Sequence, residues 1–264
     1  MELKIATTIP VQNWMQSPQV LKVMKTLGAG QACFVGGCVR NAVLGVGITD
    51  IDIATKHLPH DVIKLLEGIG AKAIPTGLDH GTITAIIDDQ KYEITTLRFD
   101  KKTDGRHAVV QFSKSWVEDA NRRDFTMNTL LADCDGNIYD PTGDGMDDLA
   151  ARRVKFVGDP DKRITEDYLR ILRFFRFHAT YGAGAPDANA ITACAHHADK
   201  ITTLSKERIT QEFEKILYLD APVNTLKVMH QCGVLSDIIP PEYLDGLQGL
   251  CHMQIMNEAF DYPA

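Results

Sequence analysis

Short apolar runs alternate with amphipathic helical patterns and turn residues through the first 150 residues of the chain. β-Strands are predicted at 32–35, 51–54, 82–87 and 92–98, and the polar residues 88–91 between the last two are typical of a hairpin. Helices are predicted at 19–27, 39–44 and 61–67. This mixture predicts an α+β region built on a mixed β-sheet rather than on a doubly wound parallel sheet.

The strand pattern disappears after Val157. Helix-length apolar periodicity follows at 165–181, 187–200, 205–218 and 222–232. A stretch rich in Asp and Gly at 140–148 is the natural hinge between the two patterns. We therefore predict two domains, an α+β region at 1–150 and an all-helical region at 151–264.

Composition and charge argue against several classes of protein. The 264 residues are 44% hydrophobic and 24% charged, as in ordinary globular proteins, and the net charge of −7 argues against a protein that coats nucleic acid. The six cysteines form no CxxC pair, and His196 and His197 have no partners at metal-binding spacing, so we expect neither a disulfide scaffold nor a zinc site. Without a secretory signal or a membrane-length apolar run, we expect a cytoplasmic protein with no membrane partner.

A predicted strand leads directly into a predicted helix at Gly36 and Gly37. Two glycines let the backbone approach a ligand closely, and the free N–H groups and dipole of a helix N-terminus favour phosphate. Arg40, near the start of the same helix, can add a charge-assisted hydrogen bond to that anion. An ordinary strand–helix turn explains the glycine pair about equally well.

Three acidic residues lie in predicted strands or beside them. Asp50 and Asp52 alternate with Ile51 and Ile53, which predicts that both carboxylates project to one side. Carboxylates this close repel unless a cation lies between them, and Mg²⁺ suits such a pair together with phosphate oxygens. Glu93, within a β-branched strand, would complete a two-metal cluster if its strand is a neighbour. The alternatives are a solvated pair at a strand end and an outward-facing charge on an edge strand.

These residues belong to a longer series of motifs in a fixed order: Gly36-Gly37-Cys38-Val39-Arg40, Asp50-Ile51-Asp52, Gly77 to Thr82, Glu93 to Arg98, Arg122 to Asn128, Asp140 to Gly143, and Glu166 to Arg173. The series resembles the class II CCA-adding tRNA nucleotidyltransferases, a family shared with bacterial poly(A) polymerases, from about Phe34 to about Leu217. The resemblance implies a nucleotidyltransferase catalytic head at 1–150. It also implies a helical neck and partial body at 151–264 that recognises the nucleotide base and contacts RNA.

The resemblance implies a role for each matched residue of the head. Asp50 and Asp52 would hold Mg²⁺, and Glu93 would help to activate the primer 3′-hydroxyl for in-line attack on the α-phosphate. The implied nucleotide-binding residues of the head are Gly36, Gly37, Arg40, Arg123, Asp124 and Asn128. A helix N-cap and a salt bridge are the alternative for Asp124 and Arg123.

The matched residues of the neck would select the nucleotide. Asp167 and Arg170 would read the incoming base, while Arg173 and Arg176 would extend toward nucleotide or RNA phosphates. A solvated helix face with i,i+3 ion pairs is the alternative. Arg106 lies in a charged, Gly-containing loop that the resemblance associates with switching from C to A addition; an ordinary surface turn fits equally well. Residues 151–181 carry eight Lys or Arg against four acidic residues, so a local basic strip for RNA is compatible with the acidic total.

The predicted function is template-independent addition of C and A to the tRNA 3′ end, with CTP and ATP as substrates and Mg²⁺ as cofactor. The alternatives are a CC-adding or A-adding enzyme, a poly(A) polymerase, and a nucleotide- or RNA-binding module without catalysis. Asn41 stands where the family usually has aspartate, a departure that removes no proposed ligand. We expect either a short enzyme or a piece of a longer one, and the oligomeric state stays open.

Overall fold

The computed structural model describes residues 3–101, 109–236, 238, 239 and 246. The chain divides into two compact units, Met1–Ala150 and Ala151–Ala264. The strands of the first unit are β1 (Ile5–Thr8), β2 (Ala32–Val35), β3 (Asp52–Thr55), β4 (Lys72–Gly77), β5 (Thr82–Ile87), β6 (Gln90–Thr96), β7 (Arg98–Lys101), β8 (Val109–Phe112), β9 (Leu131–Ala132) and β10 (Asn137–Tyr139). Its helices are α1 (Pro18–Leu27), α2 (Gly37–Leu44), α3 (Pro59–Glu67), α4 (Trp116–Asn121) and α5 (Gly145–Ala150).

A mixed sheet is the centre of the first unit. Its strand order is β1-β10-β9-β2-β3-β6-β5-β4, and β7 pairs with β8 in a separate ribbon. Strands β3 and β6 are parallel, whereas the other neighbouring strands of the large sheet are antiparallel. The α+β class with a mixed sheet is therefore confirmed.

The strand pattern matches the burial of the side chains. All four residues of β2 are buried, as expected for a central strand covered on both faces. In β5 the buried residues alternate with partly exposed ones, which is the period of a strand with one covered face. Helix α1 begins after Ser17, whose hydroxyl accepts a hydrogen bond from the backbone N–H of Val20, and Pro18 occupies the first turn.

The hairpin between β5 and β6 is confirmed, but its turn is shorter than predicted. Asp88 and Asp89 form a two-residue connection with φ of 48° and 62°. Aspartate tolerates this left-handed conformation better than most residues, because its short side chain can bond to the local backbone. The predicted strand 92–98 is also divided, since β6 ends at Thr96 and Arg98 begins β7.

The second unit is helical over its described residues. Its helices are α6 (Pro160–Glu166), α7 (Leu169–Tyr181), α8 (Ala188–His196), α9 (Lys206–Leu217) and α10 (Pro222–Gln231), with a 3₁₀ segment at Ala198–Thr203. Their contacting faces enclose an apolar core: Ile171, Leu172, Phe174, Phe175, Cys194, Ile216, Leu226 and Met229 are buried. None of the described helices combines the length and the apolar character needed to cross a membrane.

The single helix predicted at 165–181 is wrong. Helix α6 ends at Glu166 and α7 begins at Leu169, and Asp167 between them has extended backbone (φ −159°, ψ 107°). The Asp167 Oδ1 atom accepts a hydrogen bond of 3.1 Å from the backbone N–H of Leu169. Aspartate competes with helix continuation in this way, and the apolar period alone does not reveal it. The predicted helix 187–200 likewise ends at His196.

Candidate active site

Strands β2, β3 and β6, which are neighbours inside the sheet, bring the Gly36 turn and two carboxylates close together. Asp52 is the register partner of Val35 on antiparallel β2 and of Glu93 on parallel β6. Gly36 follows β2 directly and has φ of 70°, a conformation that favours glycine. A Cβ atom at Gly36 would lie 3.5 Å from Asp52 Oδ2, so the backbone of the turn passes close to that carboxylate.

The surroundings of Asp52 make its negative charge unfavourable. Its pKa is raised to about 6, mainly by burial and then by the Glu93 and Asp50 carboxylates, while Arg123 opposes the shift. Asp50 itself is exposed, precedes β3, and accepts a hydrogen bond of 2.8 Å from the Thr49 hydroxyl. This excess of negative charge around Asp52 is an environment that a divalent cation with a preference for oxygen would relieve.

Arg123 lies beside both Gly36 and the carboxylates. Its Nη1 atom would be 3.8 Å from a Cβ at Gly36, and its Nε and Nη2 atoms donate to Asp119 Oδ2 at 3.2 and 2.9 Å. The other oxygen of Asp119 accepts from Nε and Nη2 of Arg122 at 2.9 and 2.7 Å. Asp119 thus fixes the direction of both guanidinium groups.

Sequence reasoning missed Asp119, which is only 2% exposed. Burial alone would raise its pKa, but Arg123 and Arg122 lower the pKa below its ordinary value. The sequence spacing could have indicated these ion pairs, since Asp119 precedes Arg122 by three residues and Arg123 by four, the separations at which side chains meet on a helical turn.

A second hydrogen-bond chain connects Arg40 to the segment after α4. Arg40 is 6% exposed, and its Nη1 atom donates to Asn128 Oδ1 at 2.7 Å. Asn128 Nδ2 in turn donates to Asp124 Oδ1 at 2.9 Å. Asp124 and Asn128 do not share a helix: α4 ends at Asn121, and Asn128 ends a 3₁₀ turn at Thr126–Asn128. The contact between Arg40 and Asn128 nevertheless joins two of the predicted motifs.

Asn41 joins Arg40 to the backbone of Gly47 through its side-chain amide. Arg40 donates from Nε and Nη2 to Asn41 Oδ1 at 3.1 and 3.0 Å, and Asn41 Nδ2 donates to the carbonyl oxygen of Gly47. An aspartate would accept the first pair of bonds with charge assistance but has no N–H for the third. Compared with an aspartate, Asn41 therefore loses charge assistance in its hydrogen bonds with Arg40 and gains a hydrogen bond to the Gly47 carbonyl oxygen.

In the second unit, ion pairs hold both predicted base-reading residues. Asp167 Oδ2 accepts from Nη2 of Arg208 at 2.8 Å. Arg170 Nη1 donates to Glu166 Oε2 at 2.8 Å and to the carbonyl oxygen of Arg163 at 2.9 Å. Asp167 lies in the break before α7, so it does not share a helix with Arg170.

Arg176 does not extend away from the helices as expected. Its Nε atom donates to Glu212 Oε1 at 2.5 Å, and its guanidinium lies 4.8 Å from the centre of the Phe177 ring. The Glu212 side chain is 4% exposed, so this pair ties α7 to α9. Arg173 also covers Phe177, at 5.2 Å. Arg106 lies outside the described residues.

The paired histidines have an acidic neighbour that is distant in the sequence. Asp161, His196 and His197 each offer one ligand atom, and these atoms lie within 4.8 Å of one another. The sequence did not show this contact, because Asp161 is 35 or more residues away and the packing of α6 on α8 brings it close.

Two family models match this chain. Residues 32–155 match the poly A polymerase head domain. Residues 186–257 match the probable RNA and SrmB-binding site of polymerase A. The first match contains the Gly36 turn, Asp52 of β3 and Glu93 of β6.

Relatives of known function agree with these matches. The mitochondrial CCA tRNA nucleotidyltransferase 1 of Danio rerio is 39% identical over 75% of this chain and 47% of its own length. The CCA-adding enzyme of Leuconostoc citreum is 38% identical over 91% of this chain and 57% of its own length. The crystal structure of the Bacillus stearothermophilus CCA-adding enzyme in complex with CTP superposes with a TM-score of 0.73, at 34% identity, over 83% of this chain and 53% of that one. The chain thus spans about half the length of the curated relatives it matches, and it belongs to the family that CCA-adding tRNA nucleotidyltransferases share with bacterial poly(A) polymerases.

Proposed function

We propose that this protein adds C and A nucleotides from CTP and ATP to the 3′ end of tRNA without a nucleic-acid template. The observation that carries the proposal is the register of Asp52 with Glu93 beside the Gly36 turn, an arrangement suited to phosphoryl transfer. The relatives support it, since one solved relative at 34% identity contains CTP and a curated relative at 38% identity is a CCA-adding enzyme.

Nucleotidyltransferases of this kind depend on a metal ion, and we propose Mg²⁺. Asp50 and Asp52 would hold it, and the excess of negative charge that raises the pKa of Asp52 supports this assignment. Bound there, the ion supplies charge neutralisation for the triphosphate. Glu93 faces the same edge of the sheet and helps to remove the proton of the primer 3′-hydroxyl, whose oxygen attacks the α-phosphate while pyrophosphate leaves.

The triphosphate would be bound by backbone and guanidinium groups of the first unit. Gly36 and Gly37 start helix α2, whose N-terminal N–H groups favour an anion. Arg123 presents its Nη1 atom beside Gly36, and Asp119 keeps the guanidinium in that orientation. Arg40, Asn128 and Asp124 form the connected hydrogen-bond chain that we assign to nucleotide binding.

Asp167 and Arg170 would select the base. A carboxylate only accepts hydrogen bonds and a guanidinium only donates them. Cytosine and adenine both present an amino donor beside a ring-nitrogen acceptor, which this pair complements. Guanine and uracil present the reverse order and leave the hydrogen-bonding groups of both side chains unpaired. The same two residues can therefore accept CTP and ATP, provided that the base displaces Arg208 and Glu166 from their present contacts.

Product analysis tests the proposal. A tRNA without its CCA terminus is incubated with Mg²⁺ and CTP alone, ATP alone or both, and the products are resolved to single nucleotides. We expect completed CCA and a stop when both nucleotides are present. Asp50→Ala and Asp52→Ala should abolish extension, whereas Asp61→Ala, an exposed carboxylate in the first turn of α3, should not.

Other outcomes select the alternatives. Extension by C only or A only indicates a partial-specificity enzyme, and a long A tail on generic RNA indicates a poly(A) polymerase. Mg²⁺-dependent CTP binding without extension indicates a binding module and refutes the catalytic proposal. A cytoplasmic location stays a prediction, because the relatives include mitochondrial as well as bacterial proteins.

A further inference from the structure

Two histidines and an aspartate of the second unit converge on one point. His196 ends α8, His197 follows it, and Asp161 lies in the first turn of α6. One oxygen, Asp161 Oδ1, lies 2.9 Å from His197 Nε2 and 3.5 Å from His196 Nδ1. The two imidazole rings are stacked, with their centres 4.6 Å apart and their planes 21° apart. Both rings thus direct a nitrogen toward the same carboxylate oxygen.

We propose that Asp161, His196 and His197 form a binding site for a divalent transition-metal ion, with Zn²⁺ as the reference ion. Bonds of about 2.0–2.1 Å at tetrahedral angles place neighbouring ligand atoms roughly 3.3 Å apart. The two measured separations from Asp161 Oδ1 lie on either side of that value. The third separation, between the two imidazole nitrogens, is no more than 4.8 Å, and the rings would have to turn toward the ion to complete the site.

The donor atoms determine the class of ion. Imidazole nitrogen suits zinc, cobalt, nickel and copper, whereas magnesium and calcium prefer oxygen ligands. This site therefore differs in chemistry from the carboxylates Asp50, Asp52 and Glu93 of the first unit. Excess Mg²⁺ would occupy those carboxylates and leave the two histidines available.

Exposure of the ligands makes the site open to solvent. The side chains of His196 and Asp161 are 74% and 55% exposed, whereas that of His197 is 14% exposed. A bound ion would keep at least one water molecule and exchange with the medium. A hydrogen bond between His197 and Asp161 is sufficient to join α8 to α6, but it does not require the second, exposed imidazole to face the same oxygen.

A bound ion would stabilise the second unit. It joins the first turn of α6 to the end of α8, and an ion that binds only the native state shifts unfolding in its favour. Because protons and the metal ion compete for the same ligand atoms, binding should weaken in acid.

Cobalt(II) provides the direct test. The untagged full chain, stripped with EDTA and kept in excess Mg²⁺, is titrated with Co²⁺ and its visible absorption is recorded. We expect saturation at one equivalent, displacement by Zn²⁺, and no thiolate-to-cobalt charge-transfer band. In each of His196→Ala, His197→Ala and Asp161→Ala the affinity should fall by about tenfold or more.

Two controls make the outcome decisive. His230→Ala removes an exposed histidine at the end of α10 and should leave the titration unchanged. Zn²⁺ should raise the melting temperature of the wild type and of His230→Ala but not of the double variant His196→Ala/His197→Ala. Unchanged cobalt binding in that double variant, a thiolate charge-transfer band, or no saturable binding would overturn the proposal. None of these outcomes depends on nucleotide addition.

Discussion

Asp52 and Glu93 are register partners on the parallel strands β3 and β6, so their side chains lie on the same face of the sheet. Burial and the Glu93 carboxylate raise the pKa of Asp52 to about 6. The folded protein therefore holds a proton there that the unfolded chain releases near its ordinary pKa. The folded state loses stability as the pH rises between about 4 and 6, and it does not regain it at higher pH.

Asp52→Asn should consequently stabilise the metal-free protein at pH about 8, by at most about 3 kcal/mol, while abolishing nucleotide addition. The gain should disappear near pH 4, where the wild-type carboxyl is protonated. Urea unfolding in EDTA at both pH values measures it. Glu67→Gln, an exposed change at the end of α3, serves as the control. If Asp52→Asn raised the free energy of unfolding equally at both pH values, the raised pKa of Asp52 would be contradicted.

Gly36→Ala should impair both folding and catalysis. At φ 70° and ψ −132° an L-residue is strained, which costs about 1–3 kcal/mol. The added Cβ would also stand 3.5 Å from Asp52 Oδ2, in the space next to the carboxylate. Unfolding and primer-extension rates measure the two effects. Gly47→Ala, which has open space and no positive φ, is the matched control; equal behaviour of the two variants would exclude a special role for Gly36.

Asp119→Asn should destabilise the first unit by about 3 kcal/mol, because two guanidinium groups lose their buried countercharge. The lowered pKa of Asp119 means that its contribution is present above the ordinary carboxyl pKa and is lost as the pH falls through the lowered value. The stability difference between variant and wild type should therefore shrink in acid. The KM for CTP should rise more than kcat falls, since Asp119 orients Arg123 without touching the nucleotide. An unchanged KM would remove Arg123 from nucleotide binding.

Asp167→Ala should relax base selection. If Asp167 and Arg170 read the base, the ratio of kcat/KM for CTP over UTP should fall by about 100-fold, because the carboxylate that a wrong base leaves unpaired is gone. Steady-state rates with all four nucleotides measure the ratio. Lys162→Ala, on the exposed side of α6, should keep the wild-type ratio. Preserved selection in Asp167→Ala would refute the assignment.

Glu212→Gln should separate structure from nucleotide binding at Arg176. Breaking this pair between α7 and α9 should cost about 3 kcal/mol, as the Glu212 side chain is 4% exposed. If Arg176 serves only to join the helices, the KM values for CTP and ATP stay at wild-type level at a temperature where the variant is folded. A large rise in both KM values, with little loss of stability, would restore Arg176 as a phosphate ligand.

Apolar periodicity predicted the elements whose burial is regular. Strands β2 and β5 and the body of α7 follow it closely. The two-residue β9 and the three-residue β10 are too short to show an apolar period. They are stabilised instead by pairing, β9 with β2 and β10 with β1, which their own sequences do not predict.

The candidate site was likewise predictable from the sequence only in part. Motif order gave Asp52, Glu93 and Gly36, which the sheet brings together. Contacts between distant residues could not be derived from one sequence. Glu212 meets Arg176 across 36 residues, and Arg208 meets Asp167 across 41. Such pairs depend on how helices pack, and local patterns carry no information about that.

The parallel pairing of β3 with β6 has a consequence for the order of folding. Parallel neighbours cannot be joined by a tight turn, and the crossover between these two contains α3, β4 and β5. Contacts distant in sequence form slowly, because the intervening chain must first be closed into a loop. During synthesis or refolding, the two acidic side chains therefore meet late, after the hairpin of β5 and β6. If this pair binds a divalent ion as proposed, that binding would report a completed sheet rather than an intermediate, and the proposed nucleotide addition would have to wait until the sheet is whole.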